Sequence, residues 1–144
     1  MNNKAGFTLL ELIIVITIIT ILVGISTIFF ANTLPKGRFN AAVRDISATI
    51  RSAKTLALIS GTNQTFLIDI DEKKYGIDGK GYKEIPSHIS IKIIDPFLKE
   101  FTEGKYNFLF YGAGGVEGGD ILLSDGKRRI RIHVDPIAGS TVIK

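Results

Sequence analysis

Cysteine is absent from the 144-residue chain, which removes disulfide frameworks and thiolate metal sites. Cysteine-free chains occur in every compartment, so this absence assigns no location. Histidine occurs only at His88 and His133, one in a turn-like stretch and one on a strand-like face, with no second histidine nearby. Neither sign of charge dominates: 18 Lys and Arg stand against 14 Asp and Glu, a net charge of +4, and acids are mixed in throughout. Phosphate recognition wants a clustered basic face, so nucleic acid is not a required partner. There is no internal repeat and no low-complexity tract. The most informative absence is local. Residues 12–35 carry no charge at all, and between Lys4 and Lys36 the single charge is Glu11.

That charge-free run accounts for the positive mean hydropathy of a chain whose charged content, 22%, is ordinary. Residues 12–30 alone are uncharged throughout, and about 20 helical residues cross a hydrocarbon core of roughly 30 Å. A cleaved secretory signal fits less well. The run exceeds the usual 7–15 apolar residues, and Phe29 stands where a cleavage site at Ala31 needs a small residue. The segment is therefore read as retained. Its Ile, Val and Thr are poor intrinsic helix formers, but lipid forces every backbone group to bond internally, and a single segment does that only as a helix. A charged side chain inside a bilayer costs about 2.5–3.5 kcal/mol. Glu11 therefore needs either a polar interface or a partner.

The helix is expected over 7–34, with Gly24, Ser26, Pro35 and Gly37 as points of bending or local unwinding. From Phe39 the pattern changes. Phe39, Val43, Ile46, Ile50, Ala53 and Ala57 alternate spacings of four and three, one narrow stripe on a helix of about 38–59, while Arg44, Ser47, Arg51 and Lys54 fall elsewhere on its surface. Packing of this stripe on the chain's own sheet is the expected outcome, and Gly61 is a plausible stop. Beyond residue 63 the period becomes two. "TFLIDID" and "EKKYGID" form a hairpin around residues 71–74, and "HISIKII" alternates Ile89, Ile91 and Ile93 with polar residues. "YNFLFYG" and "DILLSDGKRRIRIHV" supply further strands, the second folded at Asp125 and Gly126. Ile130, Ile132 and Val134 share one face of the last strand, and Arg129, Arg131, His133 and Asp135 the other. "TVIK" is a short final strand after a turn at 136–139. A long helix followed by an antiparallel sheet with one wet face is an α+β arrangement.

Other chemistry finds little support. Asp69, Asp71 and Asp78 lie in "DIDEKKYGIDGKG", but lysine holds the fifth loop position where an EF-hand wants Asp or Asn. "GAGGVEGG" fails as a dinucleotide fingerprint, because Glu117 stands in place of the third glycine. No nucleophile context is recognisable. No metal, cofactor or enzymatic activity is expected.

The opening stretch resembles the class III signal of type IV pilins and type II secretion pseudopilins. That pattern is Gly at a cleavage point, an aromatic, Thr or Ser, two apolar residues, Glu and a long apolar run. Here it reads Gly6, Phe7, Thr8, Leu9, Leu10, Glu11, then "LIIVITIITILVG", behind a short leader containing Lys4. The resemblance implies that a membrane prepilin peptidase and methyltransferase cuts between Gly6 and Phe7 and methylates the Phe7 amine. It implies no cofactor of the chain's own. Phe7, Thr8 and Glu11 would serve assembly, with the Glu11 carboxylate paired to the Phe7 amine of a neighbouring subunit and fixing axial register. The competing reading is a carboxylate that reaches the lipid headgroups. The implied organisation is a leader at 1–6, a transmembrane and assembly helix at 7–35, an amphipathic helix at 36–60, and a periplasmic β-sheet domain at 61–144. Loop charges favour the opposite orientation, so this sidedness follows from the resemblance alone.

The C-terminal half is similar to the ending of H-type minor pseudopilins and FimT-like minor pilins: Phe108 and Phe110, then Gly115, Gly118 and Gly119, Ile121 and Leu123, Ile130, Ile132 and Val134, and Gly139. The presence of Glu11 argues against the tip subunit, which typically lacks the acid. The expected partners are other pseudopilins, the prepilin peptidase, the inner-membrane secretion platform, and membrane lipid before assembly. The alternative is a minor pilin acting in pilus assembly or DNA uptake. Its candidate basic surface is Lys127, Arg128, Arg129 and Arg131, with His133 and Lys144 nearby. Against it, Ser140 and Thr141 replace the arginines of that family, and no exposed aromatic accompanies the cluster.

Overall fold

The computed structural model describes residues 7–97, 99–136 and 141–143, without the side chains of residues 26–36, 142 and 143. The turn expected at 136–139 lies largely outside the described residues, as do Gly6, Ser140 and Lys144. One helix, α1 (Leu9–Ser60), is followed by nine strands: β1 (Gln64–Asp69), β2 (Lys74–Ile77), β3 (Tyr82–Glu84), β4 (Ser90–Ile94), β5 (Glu100–Phe101), β6 (Lys105–Phe110), β7 (Gly119–Ser124), β8 (Arg129–Val134) and β9 (Thr141–Ile143). All four expected points of bending lie within α1. The chain divides into two compact units, Met1–Gly37 and Arg38–Lys144.

In the second unit the amphipathic stripe is buried as its spacing requires. Phe39, Ile46, Ile50 and Ala53 are fully inaccessible, and Val43 and Ala57 nearly so. Ser47 departs from expectation: it is also fully buried, and its hydroxyl has no hydrogen-bond partner among the described residues. Ala42, near the opposite edge of the stripe, is buried too. The covered sector is thus wider than a stripe of four-and-three spacings, because more than one surface packs on it.

The strands divide into two antiparallel sheets rather than one. The first runs β3-β2-β1-β6 and the second β5-β4-β7-β8-β9. Their inner faces and the helix stripe form a single apolar cluster. In the first sheet Phe66 lies opposite Phe108, with ring centroids 6.0 Å apart and tilted, an arrangement that adds to burial energy. In the second, Ile93, Ile121 and Ile132 align across three strands at zero exposure. Each such side chain contributes about 1.5–3 kcal/mol by leaving water. The edge strand β3 is short, fully exposed and charged, features that discourage edge-to-edge pairing.

Two glycines set the helix exit. Gly61 follows the last helical residue with φ 65°, the left-handed conformation that ends helices. A Cβ on Gly112 would come within 2.3 Å of the Gly61 carbonyl carbon, so only glycine permits this approach. Asn63 Oδ1 accepts from the Gly112 amide at 3.1 Å and closes the contact.

Candidate functional site

The helix begins inside the motif "FTLLE": Leu9 is its first residue and Glu11 lies in its first turn. Thr8 Oγ1 accepts from the Glu11 amide at 3.2 Å, and the Thr8 carbonyl accepts from the Leu12 amide, also at 3.2 Å. Thr8 is therefore an N-cap, and Thr8-x-x-Glu11 has the spacing of a capping box. The sequence reading missed this role, although the spacing that signals it lies within the motif. Glu11 is the acidic residue of the first turn, where the helix dipole favours negative charge. Its carboxylate is exposed and has no ion-pair partner among the described residues. Capping explains a local preference for acid at this position.

Past Glu11 the helix presents apolar side chains on every side. Leu12 is 51% exposed, Ile13 56% and Ile16 55%. The polar groups between them are satisfied within the helix: Thr17 and Thr20 each donate to the carbonyl four residues back at 2.7 Å. Among the described residues no helix is long and apolar enough to cross a membrane. The uncharged run of the sequence continues through residue 35.

The candidate basic surface is only partly available. Arg128 lies 4.7 Å over the Phe39 ring. It donates through Nε to Asp125 at 3.0 Å and through Nη1 to Asn40 at 3.4 Å. It therefore ties the β7–β8 turn to the helix, and its bond holds the Asp125 carboxyl below the usual carboxylate range. Arg131 Nη1 and His133 Nδ1 share Asp120, at 3.5 and 2.6 Å. Lys127 and Arg129 are exposed.

The acidic loop is occupied from within. Asp69 is buried, accepts from the Glu72 amide at 2.9 Å and pairs with Lys105 at 3.2 Å; the amide bond is the main cause of its lowered pKa. Asp71 accepts from the Gly104 amide, and Asp78 from the Tyr82 hydroxyl. No three His, Asp or Glu side chains converge as metal ligands among the described residues.

Asp45, which the sequence reading did not single out, joins the helix to the first sheet. It accepts from Lys83 Nζ at 2.8 Å and from the Tyr75 hydroxyl. The Lys83 hydrogen bond, then that of Tyr75, holds the Asp45 carboxyl below its ordinary value. Burial, then the bond to Asp45, raises Tyr75.

Comparison with known proteins agrees with these features. The family model of the prokaryotic N-terminal methylation motif matches residues 1–27. The chain is 25% identical over 134 residues to type II secretion system protein H of Xanthomonas campestris pv. campestris, covering 93% of this chain and 79% of that protein. No solved structure matches the chain at a significant level. The chain thus carries the methylation motif of prepilin-type proteins and, over most of its length, is similar to an H-type pseudopilin of type II secretion.

Proposed function

We propose that this chain is a minor pseudopilin, a structural and non-enzymatic subunit of the periplasmic pseudopilus of a type II secretion system. The observation that carries the reading is the motif from Gly6 to Glu11 set directly before a charge-free helix. The chain would wait in the inner membrane as a single-pass protein with residues 38–144 in the periplasm. A prepilin peptidase would cut between Gly6 and Phe7 and methylate the new amine. Subunits would then leave the bilayer through the secretion platform and stack with other pseudopilins by their apolar helices. An all-round apolar surface suits both states, because lipid tails and neighbouring helices are equally apolar.

Glu11 supplies the register. Burying a carboxylate among apolar side chains is tolerable only with a bonded cation, and removal of one partner of such a pair costs several kcal/mol. Its partner in this reading is the Phe7 amine of the adjoining subunit. The DNA-uptake alternative loses ground because Arg128, Arg131 and His133 already serve internal acids.

The test is processing. Co-expression with a prepilin peptidase should remove residues 1–6 and add one methyl group, read by intact mass. Gly6→Val should leave the full-length mass unchanged. Detection of residues 1–6 on chains recovered from functional filaments would defeat the proposal.

A further inference from the structure

No role assigned above uses the outer face of the first sheet, where side chains fall into cross-strand rows. One row crosses all four strands: Tyr82 of β3 lies opposite Gly76 of β2, Gly76 opposite Leu67 of β1, and Leu67 opposite Asn107 of β6. At about 4.8 Å per strand the row is about 14 Å long. Gly76 is set by space. A Cβ there would collide with the Gly81 carbonyl oxygen and stand 3.0 Å from Tyr82 Cδ1. Without it the Tyr82 side chain leans over β2, and its hydroxyl donates to Asp78 Oδ1 at 3.1 Å. The ring is thus fixed at both ends, and Tyr82 remains 49% exposed. Leu67, next along the row, is half-buried.

The flanks of this row are polar and balanced in charge. On one side Glu84, Lys74, Asp69 and Lys105 form a second cross-strand row of alternating sign. Lys105 pairs with Asp69 at 3.2 Å, and Lys74 interacts with both Glu72 and Glu84. On the other side Asp78 adjoins Thr65, whose carbonyl accepts from the Asp78 amide at 2.9 Å. Asn107 at the far end is exposed, and its carboxamide makes no hydrogen bond among the described residues. With its lysines matched by acids, such a face concentrates no polyion. Its fixed aromatic ring, apolar middle and mixed donors and acceptors suit a sugar chain. A pyranose with equatorial substituents has a flat C–H face for the ring and a rim of hydroxyls for Asp78 and Lys105. The Asn107 carboxamide offers a donor and an acceptor side by side, the complement of an acetamido group. A straight row calls for an extended chain, which a β-1,4 linkage supplies.

We propose that this face binds the glycan strand of the cell wall, a β-linked chain of N-acetylated amino sugars, with one sugar stacked on Tyr82 and an acetamido group on Asn107. The site would let a subunit hold the wall that a growing filament must pass. The binding chemistry uses residues of the second unit alone. Its setting, a periplasm where that glycan is present, rests on the function proposed above.

The experiment titrates the full chain, in a zwitterionic detergent free of sugar, with chitotetraose and with cellotetraose, which lacks the acetamido groups. Amide chemical shifts read the place and strength of binding. Chitotetraose should move the amides of residues 67, 76, 82 and 107 and bind at least about fivefold tighter than cellotetraose, the gain of one paired hydrogen-bonding contact. Tyr82→Ala should weaken chitotetraose at least about fivefold, and Tyr82→Phe should retain most of the binding. Asn107→Leu, at an exposed position that keeps the test open if Tyr82→Ala unfolds, should erase the preference between the two sugars. Purified cell-wall sacculi should sediment the chain, and Tyr82→Ala should lower the sedimented fraction. Absence of shifts, or binding untouched by both Tyr82→Ala and Asn107→Leu, overturns the site. Chitotetraose binding without sedimentation by sacculi overturns the wall as its ligand. Crosslinking of Asn107→Cys to another pseudopilin, with no sugar binding, would make the face a protein contact and also overturn it. Sedimentation with sacculi by a chain that a prepilin peptidase leaves uncut defeats the function proposed above and leaves this site standing.

Discussion

The two parts of α1 share one helical period and have opposite fates. Ile46 and Ile50 are completely inaccessible, whereas Ile14, Ile16 and Ile18 are 50%, 55% and 51% exposed. The difference lies in distribution rather than in hydrophobicity. In the later part apolar residues occupy one sector, and the chain's own strands cover it. In the earlier part they occupy every sector, and no single fold of the following 107 residues, which form their own compact unit, could cover them all. An all-round apolar helix requires surroundings that are apolar on all sides. Satisfaction within the chain and satisfaction by others are thus written into one helix by the width of its apolar face.

The sharpest way to break this contrast is at Glu11. Glu11→Ala should be cleaved and methylated normally yet fail to enter filaments, measured by intact mass and by crosslinking to other pseudopilins in the periplasm. Normal incorporation would remove the pairing role proposed for the carboxylate. Next comes the same substitution made in both parts of the helix. Ile46→Ala should destabilise residues 38–144 by about 2–5 kcal/mol, because it opens a cavity in a packed core. Ile16→Ala should leave the thermal unfolding of that unit unchanged. Comparable shifts would mean that the two parts do not differ in the way described.

Acid gives a smaller effect confined to the second unit. The carboxyls of Asp45, Asp69 and Asp125 all titrate below their ordinary value. Each therefore adds stability that is full above the unfolded value of about 4 and is lost as pH falls through the lower folded value. The melting temperature should decline below about pH 4, and Asp45→Asn should flatten part of that decline, modestly, since the Asp45 side chain is 46% exposed. Tyr75 has the opposite sign: its raised pKa contributes stability that is lost in alkali, above about pH 10. The smallest effect belongs to the cap. Thr8→Ala should weaken the first turn by about 0.5–2 kcal/mol, seen as faster amide exchange at residues 9–11 with the core unaffected.

Several elements were legible from residue spacing because the responsible forces act locally. The stripe of Phe39, Val43, Ile46, Ile50, Ala53 and Ala57 needs only a helix and something apolar to meet. Ile89, Ile91 and Ile93 need only a strand with one buried face. The turn at Asp125 and Gly126 is chosen by its own residues: Asp125 Oδ1 accepts the Lys127 and Arg128 amides at 3.1 and 2.8 Å. The capping role of Thr8 was equally local and was obscured because the processing motif accounts for the same residues. Other features were hidden for a different reason. Burial of Ser47, the division into two sheets, the placement of β3 and β5, and the bond of Asp45 to Lys83, 38 positions away, all depend on which surfaces meet.

Periodicity and one short motif therefore determined, by themselves, the helical stretches, the strands other than β3 and β5, and an opening segment that is apolar on every side. Side-chain spacing sets which face is apolar, and water enforces the rest. Only the tertiary structure decided the width of the buried helical sector, the bond of Asp45 to Lys83, and the internal engagement of Arg128, Arg131 and His133. Those depend on distances between residues remote in sequence, which no local pattern encodes.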